Sequence, residues 1–191
     1  MIRLTALAFA FGLAATAALA AVPPETFVER TQARFDLVRA ASGSARDRLC
    51  HALVTELFDG ATIARATATT EWAGLSTQHR AALEAAVRRR LDGNCAEIAG
   101  RPKTGDGVVR RVREIEGGIR LTVQFPDANG GGSVFVWTLR PGGSLGWTAR
   151  DLVIDGRGVV ATLRADFEAA LAARGGNVGA AIAELGRTRA P

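Results

Sequence analysis

The side chains that could carry out catalysis are few in this sequence. Its only two histidines, His51 and His79, lie in segments with helical spacing, where exposed or packed helix residues are expected. One Gly-x-Ser-x-Gly pattern surrounds Ser144, but it lies in a predicted hairpin turn, whereas a hydrolase needs a strand-to-helix turn there. No HExxH, CxxC or P-loop spacing occurs, so the sequence predicts no metal, cofactor or nucleotide site.

Two carboxylates near the end of a predicted strand are the remaining catalytic candidates. Asp151 and Asp155 flank that strand end, and isomerases and dehydratases place such an acid or base in an apolar pocket. Asp151 serves equally well as a partner for Arg150 or as a cap on loop amides, and the chain has no tyrosine to donate a phenolic proton. A small exported enzyme that uses Asp151 as acid or base stays open as an alternative.

The first 20 residues have the form of a cleavable secretory signal. Arg3 precedes a short apolar run, Leu4–Leu19, and small residues occupy the third and first positions before a cut after Ala20. The run is shorter than the roughly 20 apolar residues of a membrane span. We therefore expect export and a single domain over residues 21–191.

Cys50 and Cys95 both belong to the exported part. An even number of cysteines in an oxidising compartment favours a disulfide, while two reduced thiols buried in helix faces are the alternative. The formal net charge of the 191-residue chain is +5, carried almost entirely by arginine, with Lys103 the only lysine. The excess of arginine over acidic residues indicates acidic partners, such as anionic lipid head groups or an acidic protein surface, and no nucleic acid.

Apolar spacing divides the exported chain into three parts. From Glu25 to about Ile98 the spacing is helical, with Ser44, Asp59 and Ser76 as predicted helix starts. From Val108 to Ile154 the period becomes two, and glycine-rich turns of hairpin length divide this part into four strands. After the Gly156 turn the spacing is helical again. The sequence therefore predicts an α+β fold: N-terminal helices, a four-stranded antiparallel curved sheet and C-terminal helices.

The carboxyl-terminal half resembles a known family. Residues 146–156 read GWTARDLVIDG, and Val159-Val160 and a helix with Arg164 and Phe167 follow. This order is similar to the signature of the MlaC, or toluene-tolerance, family. That signature has a tryptophan, an aspartate four residues later, an acidic-Gly turn, a hydrophobic pair and a helix that begins with an Arg and a Phe. Residues of the helical parts also resemble the family's helices in the same order. These are Leu57-Phe58-Asp59, Ile63, Trp72, Leu75-Ser76, Gln78 and the ending Ile182–Gly186.

The resemblance implies a periplasmic phospholipid carrier, the auxiliary component of an ABC-type transport system. Its implied partners are a phospholipid, an inner-membrane ABC transporter complex and an outer-membrane lipoprotein, and we expect a monomer. The acyl chains would lie in an apolar cavity between the sheet and the helices, with the head group near the mouth. A hopanoid or another lipid remains an alternative ligand. Burying one methylene is worth about 0.8 kcal/mol, so a carrier needs apolar area more than catalytic groups.

Twelve apolar residues are the candidates for the cavity wall, because they occupy the predicted inward faces of strands and helices. From the strands these are Leu121, Val123, Phe125, Val134 and Val136, and from the helices Phe35, Leu53, Leu57, Leu83, Val87, Leu163 and Phe167. Each of them could equally belong to a solid core. Asp59, Trp72, Trp147 and Asp151 are interpreted as structural residues that hold helix ends and the final strand.

Overall fold

The helices and strands follow one another in the predicted order, which confirms the α+β class. The computed structural model describes residues 22–102, 105–127 and 131–187, so the predicted signal peptide lies outside the described residues. The helices are α1 (Pro24–Ala40), α2 (Gly43–Leu57), α3 (Gly60–Thr67), α4 (Thr77–Gly100), α5 (Val159–Ala173) and α6 (Val178–Leu185). The strands are β1 (Val108–Ile115), β2 (Gly118–Pro126), β3 (Gly132–Pro141), β4 (Trp147–Ile154) and β5 (Arg157–Gly158). No helix within these ranges is long and apolar enough to cross a bilayer.

The sheet is an antiparallel meander with strand order β1-β2-β3-β4-β5. It has five strands where the sequence predicts four, because β5 is two residues long and too short to show a period. Asp155 and Gly156 both have positive φ angles, 49° and 81°, as a tight two-residue hairpin turn requires. Register shifts at Val109/Arg111 and at Thr138/Leu139 mark bulges, which bend and twist a sheet.

Side-chain caps begin two of the helices where the sequence predicts them. The Asp59 carboxylate accepts a hydrogen bond from the Thr62 amide at 3.1 Å, and the Ser76 hydroxyl accepts one from the His79 amide at 3.1 Å. The predicted start at Ser44 is wrong by two residues, since the N-cap position of α2 is Ser42. The Ser44 hydroxyl instead accepts a hydrogen bond from Arg48 within the helix.

Two separate clusters of buried side chains hold the fold together. The helical core packs α2 to α6 and the end of α1 around fully buried residues such as Leu83, Val87 and Phe167. The sheet core packs the inner face of the sheet against the start of α1, around Leu121 and Trp137. Because the buried side chains form two clusters and not one, the size and lining of the space between the two cores determine whether a molecule fits there.

Candidate functional site

A cavity of about 740 Å³ lies between the helical core and the sheet core. This volume is in the upper part of the usual range for small-molecule sites. Its wall is formed by α1, α2, the second half of α4, the inner faces of β2 to β4 and the start of α5. The apolar wall residues are Phe27, Val28, Phe35, Leu53, Val54, Leu57, Phe58, Leu91, Cys95, Ile98, Pro102, Val123, Phe125, Phe135, Trp137, Leu152, Ile154, Val159 and Leu163.

Helix α1 spans the side of the cavity and joins both cores. Phe27, Thr31 and Phe35 are spaced by four residues, which places them on one face of the helix, and all three line the cavity. Gln32 fixes this face against the loop before β1: its amide nitrogen donates to Asp106, and its amide oxygen accepts from the Gly107 amide at 3.0 Å. Phe27, near the start of α1, belongs to the sheet core. Helix α1 therefore connects the two cores along one side of the cavity.

The sheet supplies an aromatic wall. The ring of Phe135 lies 4.8 Å from that of Phe125 and 6.3 Å from that of Trp137, measured between centroids. Trp137 also contacts Phe58 at 6.0 Å and meets Phe27 edge-on at 5.9 Å. Phe125 and Phe135 are only half-buried, so this wall exposes apolar surface to the cavity.

The facing helical wall is cross-linked. Cys50 of α2 and Cys95 of α4 form a disulfide, with their Cα atoms 5.7 Å apart, as the cysteine count predicts. Cys95 lies on the cavity wall next to Leu91, while Cys50 is fully buried in the helical core. The bond therefore holds the two helices of this wall together.

Polar residues concentrate at the mouth of the cavity. Asn94 and Glu97 of α4 and Arg101 directly after it recur at spacings of three and four on one face, and all three are exposed cavity-lining residues. Three more exposed residues line the cavity: Asp155 of the β4–β5 turn, Arg157 of β5 and Thr162 of α5.

Arg39 of α1 extends the polar rim. Its guanidinium donates to the Arg101 carbonyl at 2.6 Å and lies 4.9 Å from the centre of the Phe35 ring. An apolar interior with a charged rim suits a ligand that has a long hydrocarbon part and a polar end.

The family model described as MlaC protein matches residues 27–187 of this sequence. The chain belongs to the MlaC family. In a comparison with solved structures, the chain is similar to a phospholipid-binding protein from Ralstonia solanacearum that was solved in complex with a phospholipid. The two are 18% identical with a TM-score of 0.64, and the match covers 84% of this chain and 91% of that one. No curated protein matches the chain in sequence.

Six of the twelve predicted wall residues line the cavity of this MlaC-family chain: Phe35, Leu53, Leu57, Val123, Phe125 and Leu163. The other six do not. Leu83, Val87 and Phe167 are fully buried inside the helical core, where they pack against other side chains. Leu121 is fully buried in the sheet core, opposite Trp137 in the register of β2 and β3. That any wall residue contacts a lipid stays a prediction.

The predicted inward face of β3 is wrong. Val134 and Val136 are on the outer face of the sheet, where 38% of Val134 is exposed, and Phe135 and Trp137 are on the cavity wall instead. The strand is apolar on both faces, so alternation alone could not say which face is inward. The register shows it, because Phe135 pairs with Val123, a residue that the sequence does place inward.

Sequence reasoning missed several wall residues, of which Phe27, Phe135 and Trp137 are the largest. A signal for Phe27 exists in the sequence, since it lies two helical turns before Phe35 on the same face. The aromatic residues of β3 carry no such signal, because aromatic side chains fill solid cores as often as they line cavities.

Asp151 has the geometry of a helix cap in this MlaC-family chain. Its carboxylate accepts hydrogen bonds from the Leu152 amide at 2.9 Å and from the Val160 amide, in the first turn of α5, at 3.1 Å. Asp151 does not line the cavity. Asp155, the other carboxylate candidate, does line the cavity, and its carboxylate accepts a hydrogen bond from the Val134 amide at 2.7 Å. His51 and Ser144 do not line it: His51 bonds Asp92 at 2.9 Å on the surface, and Ser144 lies in the exposed turn before β4.

Asp59 joins the helices to the sheet electrostatically. Burial acts to raise the pKa of its carboxyl group, but the hydrogen bonds from Thr62 and the charges of Arg140 and Arg150 outweigh burial, so the pKa lies below its ordinary value. One oxygen is 2.8 Å from Arg140 of β3, and the Asp59 amide donates to the Ala149 carbonyl of β4 at 2.9 Å. These contacts fix the junction of α2 and α3 on the sheet.

Proposed function

We propose that this protein binds one phospholipid, with the acyl chains in the cavity and the head group at the charged mouth. The observation that carries the proposal is the apolar cavity itself, about 740 Å³ in volume and open at a rim of arginines. Membership of the MlaC family and similarity to a protein solved with a phospholipid support the same ligand.

Hydrocarbon burial provides the affinity. Each methylene removed from water is worth about 0.8 kcal/mol, so two acyl chains bring enough free energy to hold a lipid without any covalent step. The half-buried rings of Phe125 and Phe135 gain contacts when hydrocarbon fills the space in front of them. The proposed role is therefore binding and release, not catalysis.

The proposed setting is the periplasm. A signal cleaved after Ala20 would export residues 21–191, and the disulfide between Cys50 and Cys95 suits an oxidising compartment. There the protein would carry phospholipid between the outer membrane and the inner membrane. An outer-membrane lipoprotein and an inner-membrane ABC transporter complex would be the two docking partners.

Lipid extraction tests the proposal directly. The protein is purified without detergent and extracted with organic solvent, and mass spectrometry measures the lipid recovered per chain. We expect about one phospholipid. Empty preparations that also fail to take up labelled phospholipid from vesicles would contradict the proposal, and a hopanoid in the extract would replace the phospholipid with another lipid class.

Neighbouring residues of β3 offer a matched pair of variants. Phe135→Glu places a charge on the cavity wall and should abolish loading, because a carboxylate cannot be buried against hydrocarbon without a partner. Val134→Glu places the same charge one residue away on the outer face and should load normally. Equal loading of the two variants, with native circular dichroism in both, would locate the lipid elsewhere.

A further inference from the structure

A second cleft shares one lining residue, Arg90, with the cavity. This cleft has a volume of about 390 Å³ and lies along α5 and α6. Its lining residues are Arg90, Asp166, Ala169, Ala170, Ala173, Glu184, Leu185 and Arg187. Arg90 also lines the main cavity, so both spaces border this side chain.

An ion pair closes the boundary at that point. Arg90 of α4 donates to Asp166 of α5 at 2.6 Å, and the two side chains are only 13% and 21% exposed. Arg90 Nε is buried and has no hydrogen-bond partner among the described residues. A buried charge pair of this kind adds little to stability compared with packed apolar side chains, so its position between two cavities calls for another role.

The neighbouring turns of α5 show that the two spaces follow one helix face. Leu163 lines the main cavity, Asp166 lies one turn later in the ion pair, and Ala169, Ala170 and Ala173 continue into the second cleft. Helix α4 packs on α2, α3 and α6, and α5 packs on α3, α6 and β4, so the two helices are held mainly through shared neighbours. The ion pair therefore adds a direct link between α4 and α5.

We propose that the Arg90–Asp166 pair is a partition that ends the acyl-chain compartment and thereby limits the chain length of the bound lipid. This inference rests on the proposed function, because it concerns the lipid bound in the main cavity. Long chains meet two charged groups at the partition, and hydrocarbon cannot displace them without separating the charges. Removing the pair joins the alanine-lined cleft to the cavity and lengthens the compartment.

A length-selection experiment tests the partition. The protein is equilibrated with vesicles that contain equal amounts of phosphatidylglycerols with progressively longer monounsaturated chains, and mass spectrometry of the reisolated protein gives the bound distribution. Arg90→Ala with Asp166→Ala should shift this distribution toward longer chains. Each additional methylene that enters the second cleft should enrich the longer lipid over the wild type, by at most about fourfold, the factor for a methylene fully removed from water.

Two further variants separate the partition from a general effect of lost charge. Glu84→Ala with Arg88→Ala removes another ion pair of α4, which lines neither space, and should leave the distribution unchanged. Ala169→Phe is at an exposed position of the second cleft. Added to the Arg90→Ala, Asp166→Ala variant it should restore the wild-type distribution, and alone it should change nothing.

The outcomes separate this inference from the function on which it rests. If the wild type binds phosphatidylglycerol but the double alanine variant keeps the wild-type length distribution, the proposed partition is wrong. The proposed lipid-binding function is then unaffected. If the wild type binds no phosphatidylglycerol of any length, the proposed function itself fails. Should the alanine variant not fold, Arg90→Ser with Asp166→Ser opens the same space with polar side chains, and the same shift is required of it.

Discussion

The helical core and the sheet core border the same cavity in different ways. On the helical side, large side chains such as Phe167, Ile63 and Leu83 are fully buried against one another, and a disulfide joins two of the helices. On the sheet side, the aromatic rings of Phe125 and Phe135 remain half-buried and face the cavity. Most of the helical core is thus covered by its own side chains, with Phe35 half-buried on the cavity wall, whereas the aromatic rings of the sheet core leave apolar surface that a ligand would cover.

This difference separates stability from binding. Substitutions deep in the helical core should lower the free energy of unfolding and leave the cavity wall in place. Substitutions on the aromatic face of the sheet should reduce lipid binding at a smaller cost in stability. The residues that join the two cores, Asp59 and Asp151, should affect stability modestly and binding hardly at all.

Removal of the disulfide should have the largest effect. Cys50→Ala with Cys95→Ala releases a cross-link between residues 45 apart, which costs about 4 kcal/mol of unfolding free energy on the chain-entropy model. Chemical denaturation followed by circular dichroism measures this loss, and the reduced wild type is the matched control. A loss below about 1 kcal/mol in both proteins would mean that the helical core does not depend on its cross-link.

The next effect compares the two cores directly. Leu83→Ala creates a void in the helical core and should cost about 3 kcal/mol, with lipid stoichiometry unchanged in folded protein. Phe135→Ala should cost less, because its ring is only half-buried, but should lower the amount of lipid that co-purifies. The reverse pattern, with binding lost in Leu83→Ala and kept in Phe135→Ala, would refute the division between the cores.

Substitution of Asp151 should have a smaller effect on stability, and it also tests the alternative that the protein is an enzyme. Asp151→Ala should destabilise the protein by about 1 kcal/mol through loss of the cap on α5, and Asp151→Asn should retain most of the stability because its amide oxygen still accepts. Thermal melts measure both, and lipid loading should match the wild type. A substrate whose turnover vanishes in Asp151→Asn, with stability intact, would favour the enzyme instead.

Substitution of Asp59 should have the smallest effect on stability, and the size of this effect should depend on pH. The pKa of Asp59 in the folded protein lies below the ordinary value of 3.8, so the charged form adds stability that is present above about pH 4 and is lost as the pH falls through the folded pKa. Asp59→Asn keeps the capping oxygen and removes the charge. We expect its melting temperature to be below that of the wild type at neutral pH, with the difference shrinking in acid. A difference that is constant with pH would exclude the charge as the cause.

Local features were predictable because short stretches of chain decide them. The caps at Asp59 and Ser76 each act on an amide three residues away, so spacing in the sequence is sufficient to find them. The sequence misplaces the start of α2 because Ser42 and Ser44 are both acceptable first residues. It does not predict strand β5, because two residues show no alternation.

The amino-acid sequence by itself determined the order of helices and strands, the pairing of Cys50 with Cys95 as the favoured outcome, and the resemblance to the MlaC family. Only the tertiary structure decided which apolar residues face the cavity. Leu53 and Leu83 lie on equally apolar helix faces, yet one lines the cavity and the other is packed solid. Periodicity marks the buried face of an element, but whether that face meets side chains or a cavity depends on how the two cores are spaced, and Arg90 meets Asp166 only because distant helices come together.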